Sequence, residues 1–368
     1  MDEQAKGGNV PENLMVYAGR CDVGRSCPEP SPSMGSLHNS VKFDSLSSLW
    51  EMTMMGQLGF ADGWVSPKLG RNGSLERLSA EVKWYRFEKL LARLRPEGAG
   101  RPPHDPLMML KALLLQQCYG LSDADLEEAI NDRVSFRKFL GLSLEAPSPD
   151  HTTLCRFRNR LAEAGLAQKL FAEFEHQLDK RGLILKRGTM IDASLVETPF
   201  RPGSSDGMRA PVDPDAAMTA RKGRRGTHYG YKVHVGADEG SRLIRRLELT
   251  PANVNDTSAA DGLVCGDEQA VYADKGYAKR ERRRWLKSLG IKPRIMHKSW
   301  GGGPPLSRWQ QRHNQLIAPI RAQVEGVFAT FKRWMGLRQV RYRGLARNRS
   351  HFFLIALAYN MNRSLKLV

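Results

Sequence analysis

No stretch of the 368-residue chain approaches ~18 uninterrupted apolar residues, so the sequence offers no candidate transmembrane helix. Its first residues, Met1-Asp-Glu-Gln4, lack the basic region and apolar run of a secretory signal, and none is expected. Cysteine is scarce: Cys21, Cys27, Cys118, Cys155 and Cys265 are odd in number and form no CxxC pair. That excludes a disulfide framework or a structural zinc site from the expectations and points to a reducing cytoplasm. Acidic residues are also few, 39 against 57 Lys and Arg, leaving a net charge of +18. Such an excess favours a polyanionic partner, nucleic acid first and an anionic membrane surface second.

What is present is ordinary globular composition, 41% hydrophobic and 26% charged, in a chain long enough for two or three domains. Residues 1–55 stand apart. Pro28-Glu-Pro-Ser-Pro-Ser33 and Ser45-Leu-Ser-Ser48 lie in a segment without periodicity, read as a disordered extension, and the functional protein is expected to begin near Met55. Residues 56–182 read as helical. Apolar spacing predicts a helix over Leu75 to Leu94. Asp105-Pro106 reads as N-cap and first-turn proline for a helix to Cys118, and Ser122 with Asp125 as a capping box. A short helix, Val134 to Leu140, precedes one from His151 to Ala164 that carries Arg156, Arg158 and Arg160. Short helices ending in an arginine-bearing one suit a helix-turn-helix DNA-binding domain, with Arg156 and Arg158 as candidate contacts; a plain helical bundle is the alternative.

Beyond Gly182 the period changes. Thr189 to Val196, Tyr229 to Gly236 and Arg242 to Thr250 read as strands, followed by strands Ala270 to Ala273 and Lys292 to Met296 alternating with helices. A long helical stretch from Ser307 to Trp334 is expected to kink or break at Pro319. The result is a mixed α/β domain over 183–368.

Three acids sit awkwardly for a structural role. Asp192 interrupts an apolar strand, Asp274 closes another, and Glu325 shares a helical stripe with Arg321 and Lys332. An Arg321–Glu325 ion pair alone is a modest helix device in its less favourable orientation. Together the acids suit a cage for two Mg²⁺ ions, with Mn²⁺ as substitute, handling a phosphodiester. Lys232, Arg224 and Arg225 are candidate phosphate contacts. His228 and His234 read as satisfied or exposed histidines, Asn255 as a cap, and Trp300 and Trp309 as core or loop packing.

These residues resemble a family. Ile191-Asp-Ala-Ser-Leu-Val-Glu-Thr-Pro199, His228-Tyr-Gly-Tyr-Lys-Val-His234, Leu249-Thr-Pro-Ala-Asn-Val-Asn-Asp256, Tyr272-Ala-Asp-Lys-Gly-Tyr277 and Arg321, Glu325 and Lys332 follow the order seen in bacterial DDE transposases of the insertion-sequence-five group. Arg101-Pro-Pro-His-Asp-Pro106 and Asp150-His-Thr-Thr-Leu154 look like that group's N-terminal domain. The resemblance, over about residues 56–366, implies an RNase H-like catalytic domain in which Asp192, Asp274 and Glu325 hold the metals while Arg321 and Lys332 contact DNA. Where the family places a Tyr three positions before the Arg, this chain has Ala318 and then Pro319.

The resemblance further implies binding to the terminal inverted repeats of an insertion sequence, cleavage of its ends, joining to target DNA, and a homodimer or larger assembly in a bacterial cytoplasm, associated with the nucleoid. A catalytically silent DNA-binding repressor, or a metal nuclease without strand transfer, remain the alternatives.

Overall fold

The computed structural model describes residues 73–94, 104–200, 212–220, 227–299 and 304–368. The N-terminal extension, the beginning of the helical region, Trp300, Arg224 and Arg225 lie outside the described residues.

The helical part begins with α1 (Gly73–Glu81) and α2 (Trp84–Leu91). Periodicity alone predicts one helix here, but it breaks at Lys83. Gln177 supplies the reason: its Oε1 accepts from the Lys83 amide at 3.0 Å and its Nε2 donates to the Lys83 carbonyl. A tertiary partner for that peptide unit replaces the helical one. Then follow α3 (Pro106–Tyr119), α4 (Asp123–Asp132), α5 (Val134–Leu140), α6 (His151–Glu163) and α7 (Leu166–Lys180). Their starts are set locally. Asp105 accepts from the Met108 amide, Ser122 and Asp125 form the reciprocal capping box, and Asp150 accepts from the Thr153 amide.

Six strands make one mixed sheet: β1 (Thr189–Glu197), β2 (Ala217–Ala220), β3 (Thr227–Asp238), β4 (Ile244–Pro251), β5 (Ala270–Ala273) and β6 (Lys292–Ile295). The order is β2-β3-β1-β5-β6, with β4 also paired to β3. β1 and β3 are antiparallel, whereas β1, β5 and β6 run parallel. The sheet is therefore a meander on one side and a parallel crossover on the other, as the alternation of strands and helices requires. Gly230 is obligatory at the β1–β3 crossing, since a Cβ there would lie 2.3 Å from the Val196 carbonyl oxygen.

Between and after the strands come the short α8 (Asp256–Ala259), α9 (Arg280–Ser288), α10 (Arg308–Arg321), α11 (Gln323–Trp334) and α12 (Leu345–Ser364). The long helix does break, but at Ala322 rather than at Pro319, which stays inside α10.

Alternate residues of β1 enter different cores. Met190 and Val196 join a cluster running from Leu75 through Phe174 and Val233 to Leu357, while Ile191 joins a second one with Val271, Leu286 and Ile295. The first cluster is continuous because α12, buried along most of its length, packs against α3, α6, α7 and β4 alike. No helix among the described residues is long and apolar enough to cross a membrane.

Candidate active site

The parallel register of β1 and β5 pairs Ile191 with Ala273, so the next residues, Asp192 and Asp274, leave neighbouring strands at the same level. α11 brings the third acid. Val324, Val327, Phe328 and Phe331 are buried, which packs α11 against β1 and leaves Glu325, its side chain 60% exposed, at the rim.

Arg321, the last residue of α10, joins two of these acids. Its Nη1 donates to Asp192 Oδ2 at 3.3 Å and its Nη2 to Glu325 Oε1 at 2.7 Å. The other Asp192 oxygen accepts from the Ala193 amide at 2.9 Å. Burial pushes the Asp192 carboxyl up to about 6; the Ala193 amide and Arg321 pull it back, and the charges of Asp274 and Glu325 push it further. Asp192 thus feels the charge of both other acids, and a cation already bridges it to Glu325. A donor set of carboxylate oxygens that attracts positive charge fits hard divalent ions such as Mg²⁺ and Mn²⁺.

Sequence inspection passed over Tyr277. Its ring is buried, its hydroxyl has no hydrogen-bond partner among the described residues, and burial and then the charges of Asp192, Asp256 and Asp274 raise its pKa. Its place at the end of the turn Asp274-Lys-Gly-Tyr277 is the signal that the sequence holds.

The basic candidates divide. Lys332 lies half-buried near the end of α11. Lys232 is drawn inward, its Nζ 2.8 Å from the Val254 carbonyl and 2.9 Å from Asp256. Arg156 is exposed on α6. Arg158 does not face solvent: it is 5% exposed, paired with Asp123, and its guanidinium lies 5.0 Å from the Tyr342 ring centroid. The expectation of a phosphate contact there is corrected by its burial, which commits the charge to the interior. Arg160 donates to the Leu94 carbonyl. In the basic run from Lys279 to Arg284, Arg282 is likewise internal, held by Asp261 and the Tyr277 and Thr257 carbonyls.

The remaining polar residues have local roles. His234 is buried and shares a 2.9 Å hydrogen bond with Thr250, His228 pairs with Glu197, and Asn255 caps α8. Trp309 is not in a core, being 67% exposed, but one face packs on His313 and His297. Cys265, Asp267 and Glu268 lie close enough to share a metal, but Arg245 and Lys186 neutralise Asp267 and the Cys265 and Gly266 amides occupy Glu268.

Two family profiles match the chain: one described as the transposase DDE domain over residues 184–361, the other as a transposase domain over residues 65–160. Among solved structures, the piggyBac transposase synaptic complex with hairpin DNA has a TM-score of 0.38 at 11% identity, over 77% of this chain and 71% of that one. A pre-cleavage Mos1 transpososome has a TM-score of 0.17 at 16% identity, over 74% and 80% of the two chains. The Mos1 strand transfer complex gives 0.18 at 17% identity, over 76% and 84%.

Proposed function

For a chain built from the two domains of a DDE-family transposase, we propose that Asp192, Asp274 and Glu325 form the catalytic centre that cuts the ends of its own insertion sequence and joins them to target DNA. The observation that carries this reading is the Arg321 bridge from Asp192 to Glu325, which ties acids of separate elements into one cation-seeking site beside Asp274.

Asp192, Asp274 and Glu325 would hold two Mg²⁺ ions, or Mn²⁺ in their place. Bound there, the ions supply the Lewis acidity for phosphodiester hydrolysis and strand transfer. Glu325, the most exposed acid, is the one free to adjust as DNA arrives. Arg321, displaced from carboxylate oxygens, becomes available to a DNA phosphate, with Lys332 further along α11. Lys232 fixes Asp256 and the turn at Val254.

The sheet with its flanking helices is read as RNase H-like over residues 183–368. Residues 56–182 are read as a helix-turn-helix-like domain that binds terminal inverted repeats, with Arg156 on its exposed face, and Arg224 and Arg225 are further proposed DNA contacts. Engaging two ends requires a homodimer or larger assembly, in a bacterial cytoplasm on the nucleoid.

The test is cleavage of a supercoiled plasmid bearing the gene's flanking DNA with Mg²⁺ or Mn²⁺, comparing wild type with Asp274→Ala and Glu325→Ala. Metal-dependent cuts at the element ends, lost in both variants, are expected. Tight binding to those ends with no cutting by wild type would replace this reading with a silent DNA-binding repressor. Cutting without joining to a target plasmid would leave a metal nuclease.

A further inference from the structure

A cavity of about 540 Å³ opens at the far edge of the sheet, between β6, α9 and the start of α10. Arg283 and Lys287 line it from α9, Lys292 and Arg294 from β6, and His297, Trp309 and His313 close it. Elsewhere in this chain three buried arginines meet acids: Arg245 meets Asp267, Arg282 meets Asp261 and Arg158 meets Asp123. Here, among the described residues, none of the four cations forms an ion pair with a carboxylate. Arg283 donates only to β6 carbonyls and the carbonyl of Met296 just beyond the strand, and burial holds it below the usual arginine range.

The aromatic side of the cavity is also incomplete. His297 Nε2 and His313 Nδ1 are both buried without a hydrogen-bond partner among the described residues. Their rings lie 4.9 Å apart, and Trp309 stacks on His313 at 5.3 Å and 25° while its outer face stays in solvent. Arg283 is half-buried while Lys287, Lys292 and Arg294 are exposed at the mouth, and no carboxylate among the described residues lines the cavity, so this positive rim repels a metal ion and attracts an anion. An anion bearing several acceptor oxygens, flanked by something flat, is a nucleotide phosphate.

Position agrees. Ile295 pairs with Ala273, and the Met296 amide donates to the Ala273 carbonyl at 3.0 Å, so His297 emerges one strand beyond Asp274 at the same C-terminal end of the parallel strands. α10 then runs from Trp309 to Arg321, ~18 Å at 1.5 Å per residue, or about five nucleotides at 3.4 Å each.

We propose that this cavity is a second DNA site, taking a backbone phosphate a few nucleotides from the scissile one. Arg283, Lys287, Lys292 and Arg294 supply the charge, the two histidines supply hydrogen bonds, and Trp309 packs on the adjoining nucleoside. The inference rests on the three-acid reading for the position of the cut. Binding is also proton-linked. Burial and then Arg283 lower the pKa of His297, and burial, His297, Arg283 and Arg294 lower that of His313 against a raising hydrogen bond with Asn314; a bound phosphate favours their charged forms. The facing groups are the α9 and β6 cations, Trp309 and Asn314, whose side chain bonds the His297 backbone and also bears on His313.

The test uses full-length protein without metal and two labelled duplexes of equal length, one carrying the gene's flanking sequence and one scrambled. Fluorescence anisotropy is followed against salt, at pH 6 and pH 8. Lys287→Ala/Lys292→Ala is expected to weaken both duplexes about tenfold and to lower the slope of log K against log salt by roughly 1–2. Lys180→Ala/Lys366→Ala removes the same charge elsewhere and should keep the wild-type slope. Wild type should bind more tightly at pH 6, and His297→Gln/His313→Gln should shrink that gain. An unchanged slope in the Lys287/Lys292 variant overturns the proposal, as does inorganic phosphate quenching Trp309 fluorescence while DNA binding is untouched. Because no cutting is measured, failure here is separable from failure of the catalytic reading, and matching thermal melts exclude unfolding.

Discussion

Arg321 reaches back to Asp192 from 129 positions later in the chain, its Nη1 3.3 Å from the Asp192 Oδ2. With its other nitrogen on Glu325, it holds together two acids that would otherwise repel each other, and it occupies oxygens that the proposed metal ions would need.

Arg321→Ala should therefore separate binding from turnover. Without the guanidinium, Mn²⁺ affinity in the absence of DNA is expected to rise about tenfold, the equivalent of ~1.4 kcal/mol, while DNA cleavage falls. Electron paramagnetic resonance titration of free Mn²⁺ reads the first effect and plasmid nicking the second. Weaker Mn²⁺ binding in the variant would show that Arg321 positions the acids rather than competing for them.

His234 predicts an acid-side loss of stability. Burial lowers its pKa to about 4, against ~6.5 in an unfolded chain. As pH falls through 6.5 the unfolded chain takes the proton first, so the contribution is whole above that value and declines until about pH 4. The loss amounts to about 3 kcal/mol at most. Asp192, raised to about 6, works in the opposite direction. Urea melts of wild type and His234→Gln between pH 4.5 and 7.5 isolate the histidine: the variant should lose less stability on acidification.

Arg158 and Arg156 should behave as different kinds of residue despite their proximity in sequence. Arg158→Ala removes a pair with Asp123 and a contact over Tyr342, and is expected to cost about 2 kcal/mol or more. That is the low side for a buried pair, because Asp123 keeps partial access to water. Arg156→Ala should leave thermal stability within about 0.5 kcal/mol. Equal melting temperatures for the two variants would contradict the burial of Arg158.

Gly230→Ala places a methyl group against the Val196 carbonyl oxygen and the Glu197 Cα, both backbone atoms that cannot rotate away. A destabilisation of about 1–3 kcal/mol is expected, with hydrogen exchange accelerated first along β1 and β3. Wild-type protection in those strands would mean that the pairing relaxes without loss.

The sequence by itself determined what neighbouring residues can settle among themselves. Asp105 with Pro106, Ser122 with Asp125, and the apolar run of β5 specify their elements through hydrogen bonds and side-chain periods a few residues long. The three acids were legible as anomalies, and their order matched a family motif, but their grouping was not a local property. Asp192 meets Asp274 through the parallel register of β1 and β5, and Glu325 through the packing of α11, each a contact between segments far apart in the chain. The same long-range terms turned Arg158 inward and Trp309 outward, and broke the first helix at Lys83, where Gln177 offered its backbone a better partner. A helical period states which residues share a face. Only the docking of that face against the sheet and α12 decides whether a charge on it meets water or a carboxylate, because burial makes an unmatched charge too costly to leave alone.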